Sequence, residues 1–566
     1  MKGHRTALAL GLIVYAARAL PMAIAYRDRI NPDAVSYIQQ ASYLAQGNLW
    51  KSISAYWSPL FSWCIAPFMA LGMDGLHAAH LVMAAWGGVL VSASFLLIRR
   101  MTDLGPPACL AALLLIGDGA LRWGEALFPD GIMAACLLAC CALLAGPRLL
   151  GDRQSLFGAG LCSGVAFLAK SYALPFFLAL LPLTITWRIL VGDLQGRVQG
   201  GPGTPSPRAA HLRRIFMQAL IPGLLGFFLV AGPWILILSA KVGRPTFSLV
   251  GGINHAIVGP ADMEREHPNT DRLWTPPDGR ISIWEVPETM TYHYWSPLAS
   301  LSYMKHQLGL VGSSVSQIRV HMQRYDFLGL SLLLLILGPL LLRVMGKGHA
   351  ALSALWGIGV ATLFASGLTF LFFSYRYTNP FLRPLCLILA FHTVSWMCRF
   401  ENSVSPPGLA RKWAPVFLWS VLLLSFAAHA NIPFRPFTLE EADGTPFNNV
   451  TVDSSVHRTL AAKLREAGMP GPLASSLHWG GLYLAYHMQV PYLGTPRSVA
   501  PSAGPASPKD LLAELQQHQA RSFLVEAGSP GAGILRSAPG RWALLEAAEP
   551  VPGQRIEIYM RTSTRE

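Results

Sequence analysis

The sequence predicts a polytopic α-helical membrane protein of about eleven transmembrane helices, followed by a small α/β extracytoplasmic domain. Three observations predict it. The chain is 52% hydrophobic and only 13% charged, with a mean hydropathy of +0.39, whereas soluble domains run near a quarter charged. Apolar runs of spanning length follow one another over the first three quarters of the chain. Arg and Lys collect in alternate connections between those runs.

The runs fall at 6–26, 76–98, 106–121, 131–147, 155–169, 172–190, 215–238, 326–343, 350–373, 380–397 and 414–430, and 59–72 adds a partial one. Several are shorter than the roughly 17–25 residues of a full span and read as paired hairpins. The first follows Lys2 and Arg5 without a small-residue cleavage site, so it reads as a retained helix. With the N-terminus inside, the inner connections hold Arg99 and Arg100; Arg148 and Arg153; Arg197, Arg208, Arg213 and Arg214; Arg343 and Lys347; and Arg399, Arg411 and Lys412. That is the positive-inside pattern. It accounts for the formal charge of +14 as an orientation signal, and it argues against nucleic acid as a partner. The expected location is a bacterial inner membrane, with the N-terminus cytoplasmic.

Residues 1–430 then form a helical transmembrane domain with outer loops at 27–58 and 240–325, and 431–566 a soluble extracytoplasmic domain. "GDLQGRVQGGPGTPSPRAAH" is a Gly/Pro-rich inner linker. Loop 240–325 is too aromatic for disorder. After the last run, "SSVHRTLAAKLREAG" reads as a helix ending at Gly468, and "PKDLLAELQQHQA" as another. "RSFLVEA", "RWALLEAA" and "RIEIYMRT" read as strands. "YWSPL" occurs twice, at Tyr56–Leu60 and Tyr294–Leu298, and reads as an interfacial aromatic anchor used twice. The eight cysteines lie in or beside apolar runs, with neither a disulfide nor a metal spacing.

Ionisable residues at membrane depth are costly and so are candidates for function. Asp33 opens a helical pattern in "NPDAVSYIQQ", with Asn31 or Asp33 itself as cap and Tyr37 on the same face. In isolation that is only a capped surface helix. The other outer turns give it company: Glu125 and Asp130 in "GEALFPDG", Lys170 in "LAKSYA", and Arg376 between Tyr375 and Tyr377. Taken singly, these are a turn aspartate, a partner for Arg122 and snorkelling cations. Together they bring carboxylates and cations to one interface. Such a set suits a lipid-phosphate-linked sugar, whose phosphate leaving group needs positive charge and whose acceptor hydroxyl needs a base. Asp33 is the candidate base, with Asp130 or Glu125 orienting the acceptor or holding a divalent cation. Lys170, Arg376, Tyr375 and Tyr377 are candidates for the donor phosphate, and Tyr37, Trp57, His255 and His293 for the acceptor or sugar pocket. His255, His267 and His293 with Asp262, Glu264 and Glu285 match no metal spacing, so no metal ligand and no certain cofactor is assigned.

These stretches resemble the GT-C superfamily of polyprenyl-phosphate-sugar-dependent glycosyltransferases, in the branch of protein O-mannosyltransferases and the lipid A aminoarabinose transferase. The anchors are "NPDAVSYIQQASYLAQGN" with "WSPL", "EALFPDGIMAA", "GVAFLAKSYALPFF" and "YRYTNPFLRP". The resemblance implies a catalytic Asp in the first outer loop at Asp33 and an acidic residue in the second at Glu125 or Asp130. It also implies a lysine and an arginine near the lipid phosphate at Lys170 and Arg376. Many relatives carry Asp-Glu in the first loop where this chain has Asp33-Ala34. The function implied is transfer of a sugar from a polyprenyl-phosphate donor to an acceptor hydroxyl of a protein, lipid or glycan on the outer face, with inversion. The competing classes are a transporter or flippase of a lipid-linked saccharide and a non-catalytic envelope scaffold.

Overall fold

The computed structural model describes residues 2–124, 126–146, 148–200, 209–263, 265, 267, 272–324, 348–370, 375–404, 447–448, 450–499 and 508–562. Within them, every apolar run expected to be helical coincides with a helix; the runs at 326–343 and 414–430, like Glu125, lie outside the described residues.

The chain opens with α1 (Lys2–Ala25), β1 (Arg29–Ile30), α2 (Pro32–Ala45), α3 (Leu49–Ser52), α4 (Leu60–Ala70), α5 (Gly75–Met101) and α6 (Pro106–Gly124). It continues through α7 (Asp130–Leu144), α8 (Arg153–Ala169), α9 (Ala173–Gly200), α10 (Ala209–Val242), α11 (Val250–Ile257), α12 (Leu301–Arg324), α13 (Gly348–Leu368) and α14 (Tyr375–Val404). Among the described residues, four stretches are long and apolar enough to cross a membrane: Lys2–Ala25, Gly75–Met101, Ala173–Val191 and Arg213–Val242. The apolar stretches Leu60–Ala70, Asp130–Leu144 and Leu352–Leu368 are shorter. They pack in the same core as the long helices.

Small residues set the closest crossing. A Cβ added to Gly160 of α8 would stand 2.0 Å from the Gly223 carbonyl of α10, and one on Gly226 would stand 2.2 Å from the Phe157 carbonyl. Only glycine lets two backbones meet so closely. On the other side of the bundle, Trp356 of α13 donates to the Thr184 hydroxyl of α9 at 3.1 Å and Tyr172 to the Phe364 carbonyl at 2.6 Å. Phe364 lies 4.5 Å from Phe381 of α14. These contacts fix the end of α14 that carries Arg376.

The C-terminal part adds β2 (Val452–Asp453), α15 (Ser455–Glu466), β3 (Leu473–Ser475), α16 (His478–Met488) and β4 (Tyr492–Gly494). It ends with α17 (Pro508–Gln517), β5 (Ser522–Glu526), α18 (Pro530–Arg536), β6 (Trp542–Val551) and β7 (Gln554–Arg561). The two helices and three strands expected from sequence form here; β2, β3, β4, α16 and α18 were not anticipated. The sheet order is β4-β3-β5-β7-β6, parallel across β4-β3-β5 and antiparallel across β5-β7-β6. Strand alternation sends Phe523, Val525 and Tyr559 to one face with Leu511, Leu515 and Leu535 of α17 and α18. Leu524, Ile556 and Ile558 go to the other, in one core with Leu460 and Leu484 of α15 and α16.

This unit is stitched to the first outer loop. β1 pairs antiparallel with β2, Arg29 opposite Asp453 and Ile30 opposite Val452. Arg458 bridges Asp28 at 2.8 Å and Asp74 at 3.0 Å. Tyr492 N–H donates to the Ile281 carbonyl and Trp274 N–H to the Leu493 carbonyl, both at 2.6 Å, so the large outer loop lines the β4 edge.

Candidate active site

Asp33 does not cap its own helix, because its neighbour does. Asn31 Oδ1 accepts the Ala34 N–H at 2.9 Å, Pro32 fills the first helical position, and Asn31 Nδ2 donates to the Ala126 carbonyl of the second outer loop. The Asp33 carboxylate faces inward with 11% of its side chain exposed. Its Oδ2 lies 3.4 Å from Arg376 and its Oδ1 accepts from the Trp284 indole N–H at 3.3 Å.

Asp130 begins α7, where the helix dipole favours a carboxylate. Its side chain is 2% exposed and its Oδ2 lies 3.4 Å from Lys170. Lys170 is the C-cap of α8, the end that favours a cation. The two ion pairs share one ring: Lys170 Nζ sits 5.5 Å and the Arg376 guanidinium 4.8 Å from the Tyr377 ring centre. Arg376 also donates to Tyr377 Oη at 2.7 Å and lies 4.5 Å from the Phe128 ring. Thus Asp33, Asp130, Lys170, Arg376 and Tyr377, from four separate stretches of sequence, come together. Tyr375 begins the described part of α14.

Below them is an aromatic floor. Trp57 stands 5.0 Å from Tyr37, 4.8 Å from Tyr56 and 5.2 Å from Trp284, each edge to face. Burial pushes the Tyr37 phenol well above its ordinary range, and the carboxylates of Asp33 and Asp130 add to the shift. The phenol therefore stays protonated. His267 tilts against Trp284 at 5.2 Å. Burial pushes its imidazole down to about 4 against the pull of Asp33.

The other two expected pocket residues stand apart. His255 stacks on Trp295 at 4.2 Å and pairs with Gln307 at 3.1 Å. His293 is exposed. The two "YWSPL" copies differ at their tyrosines, Tyr56 being half-buried in the cluster and Tyr294 59% exposed, while both tryptophans, Trp57 and Trp295, are buried. Anchoring at the interface describes the first copy poorly, because Trp284 covers it.

Trp284 and Phe128 carried no sequence signal of their own, lying in stretches read as loop, and Tyr56 was read only as an interfacial anchor. Glu285, grouped with candidate metal ligands, is instead locked by Arg280 at 3.3 Å, Tyr43 at 2.8 Å and the N–H groups of Ile281 and Ser282 at 2.7 and 3.2 Å. Among the described residues no three His, Cys, Asp or Glu side chains converge as metal ligands. Asp33 and Asp130 each face a cation.

Residues 57–193 match the family of dolichyl-phosphate-mannose-protein mannosyltransferases. No curated protein matches the chain. Among solved structures it is similar to ArnT from Cupriavidus metallidurans bound to undecaprenyl phosphate, at 14% identity and a TM-score of 0.48, with 98% of each chain covered. The apo ArnT structure gives 14% and 0.49, over 96% of this chain and 97% of that one. The archaeal oligosaccharyltransferase AglB from Archaeoglobus fulgidus, in complex with an inhibitory peptide and a dolichol-phosphate, gives 10% and 0.47, over 92% of this chain and 69% of that one. The resemblance to GT-C glycosyltransferases is thus met by a family match over 57–193, the stretch that holds Trp57, Asp130 and Lys170.

Proposed function

We propose that the chain is an integral membrane glycosyltransferase that moves a sugar from a polyprenyl-phosphate donor to an acceptor hydroxyl, on the outer face of the membrane and with inversion. Residues 1–430 are the transmembrane catalytic domain and 431–566 an extracytoplasmic domain. The N-terminus is cytoplasmic and the membrane a bacterial inner membrane. The observation that carries the proposal is the pairing of Asp33 with Arg376 and of Asp130 with Lys170 around Tyr377. The match of 57–193 to a family named for a dolichyl-phosphate-linked mannose supports the donor class.

In this mechanism Asp33 takes the proton of the acceptor hydroxyl as its oxygen bonds to the anomeric carbon. The bond from that carbon to the lipid phosphate oxygen breaks, and its electron pair leaves with the phosphate. A single displacement inverts the centre. The departing phosphate gains negative charge, which Lys170 and Arg376 offset. Asp33 and Asp130 hold those two cations at one end of the bundle. Asp130 positions Lys170, and the Trp284 indole holds one Asp33 oxygen while Arg376 faces the other. A carrier would gather its charges near the bilayer midplane; these gather at helix ends.

The test is transfer from a polyprenyl-phosphate sugar by purified protein, compared with Asp33→Asn. Asp33→Asn should lose turnover while keeping its thermal unfolding profile. Full turnover in that variant removes Asp33 as the base.

A further inference from the structure

The candidate base is fixed by a residue that the sheet of the C-terminal unit holds in place. Trp284 donates to Asp33 Oδ1 at 3.3 Å, and its backbone carbonyl accepts from Trp57 Nε1 at 2.7 Å and Ser36 Oγ at 3.1 Å. The segment that delivers it, 272–285, runs along the free edge of β4. Leu273 bridges Gly494, Trp274 N–H donates to Leu493, and Tyr492 N–H donates to Ile281. The Leu273 side chain is 3% exposed, in one cluster with Leu493, Phe523 and Tyr559 of the C-terminal sheet. At the crossing stands Gly494, with φ +106°, where a Cβ would lie 2.7 Å from the Arg272 carbonyl oxygen. That position needs glycine both for its backbone angle and for the approach of the loop.

We infer that the C-terminal unit acts in the reaction as a positioning device: its β4 edge, through the Gly494–Leu273 crossing, seats Trp284 on Asp33. Trp284 is a positioning residue, and the inference rests on Asp33 being the base. The groups facing Asp33 are Arg376 from α14, Trp284 and His267 from the large loop, Tyr37 from α2, Tyr56 from the first loop and Tyr483 from α16. Of these, Trp284 rides on the segment 272–285 that the crossing joins to β4. A hydrogen bond donated to a carboxylate favours its ionised form, so losing one raises the pH at which the base becomes competent.

The experiment is the pH profile of kcat/KM with amide exchange across 272–285, in Gly494→Ala, Leu273→Ser and Trp284→Phe. All three should move the acidic limb up by about one pH unit. Gly494→Ala and Leu273→Ser should also speed exchange in 272–285, and Gly494→Ala combined with Trp284→Phe should shift the limb no further than either alone. Leu273→Ser loosens the same crossing through a side chain, so the result survives if Gly494→Ala does not fold. Faster exchange with an unmoved limb, or a loss of activity equal at every pH, overturns the inference and leaves Asp33 as base. Unchanged turnover in Asp33→Asn instead overturns the mechanism itself.

Discussion

Two carboxylate–arginine pairs lie beside the 27–58 loop, and their difference separates architecture from chemistry. In the pair of Glu285 with Arg280, the side chains are 0% and 4% exposed. Glu285 accepts from Arg280, Tyr43, Ile281 and Ser282, so its lone pairs are taken. Burial still raises its pKa, because desolvation outweighs the partners. In the pair of Asp33 with Arg376, the side chains are 11% and 27% exposed, and the carboxylate has one indole donor and one cation at 3.4 Å. The first pair is saturated. The second retains lone pairs for a hydroxyl.

Removing the two acids should therefore have opposite outcomes. The largest effect expected is on turnover in Asp33→Asn, a fall of at least about 100-fold with little change in thermal stability; equal loss of both would erase the distinction. Next is Glu285→Ala, which leaves Arg280 buried without its partner and should cost roughly 3–5 kcal/mol. Chemical denaturation followed at the outer loop measures it, and a cost below about 1 kcal/mol would mean that the pair behaves as a surface bridge. Lys170→Ala and Arg376→Ala should each raise the apparent KM for the donor by roughly 10- to 100-fold, the worth of one hydrogen bond to a charged group. Neither should change the KM for the acceptor, and an unmoved donor KM in both would detach the cations from the phosphate.

The last effect concerns acid. His457 is buried, stacked on Phe447 at 4.1 Å, and held down to about 4 from an ordinary 6.5 by burial. A depressed histidine supports the fold in its neutral form. Its contribution is full above pH 6.5 and is lost as pH falls from 6.5 toward 4. That loss is on the order of 3 kcal/mol at most. Melting of the C-terminal unit across that window measures it, and a His457→Phe variant should flatten the dependence.

Much of the helical layout was legible because lipid leaves the sequence little choice: apolar runs and basic connections mark themselves. Asp33, Asp130, Lys170 and Arg376 stood out for the same reason, as charges where charge is costly. Trp284 was invisible because its role depends on the fold of 240–325, and no period or motif marks that fold. Asp130 and Glu125 were interchangeable in sequence. Asp130 is placed beside Lys170 by opening α7. The strands β3 and β4 escaped because three-residue strands inside a parallel arrangement carry no alternation to read.

The two-residue ladder of β1 with β2 has a consequence for biosynthesis. Arg29 and Ile30 leave the ribosome more than four hundred residues before Asp453 and Val452, their partners, and the β4 edge that seats Trp284 comes later still. Helices can enter the bilayer one after another as they are made, but the outer end of the bundle waits for nearly the whole chain. Contacts so distant in sequence form slowly. A prematurely terminated product would consequently be inserted yet inert, with activity switched on only by completing translation.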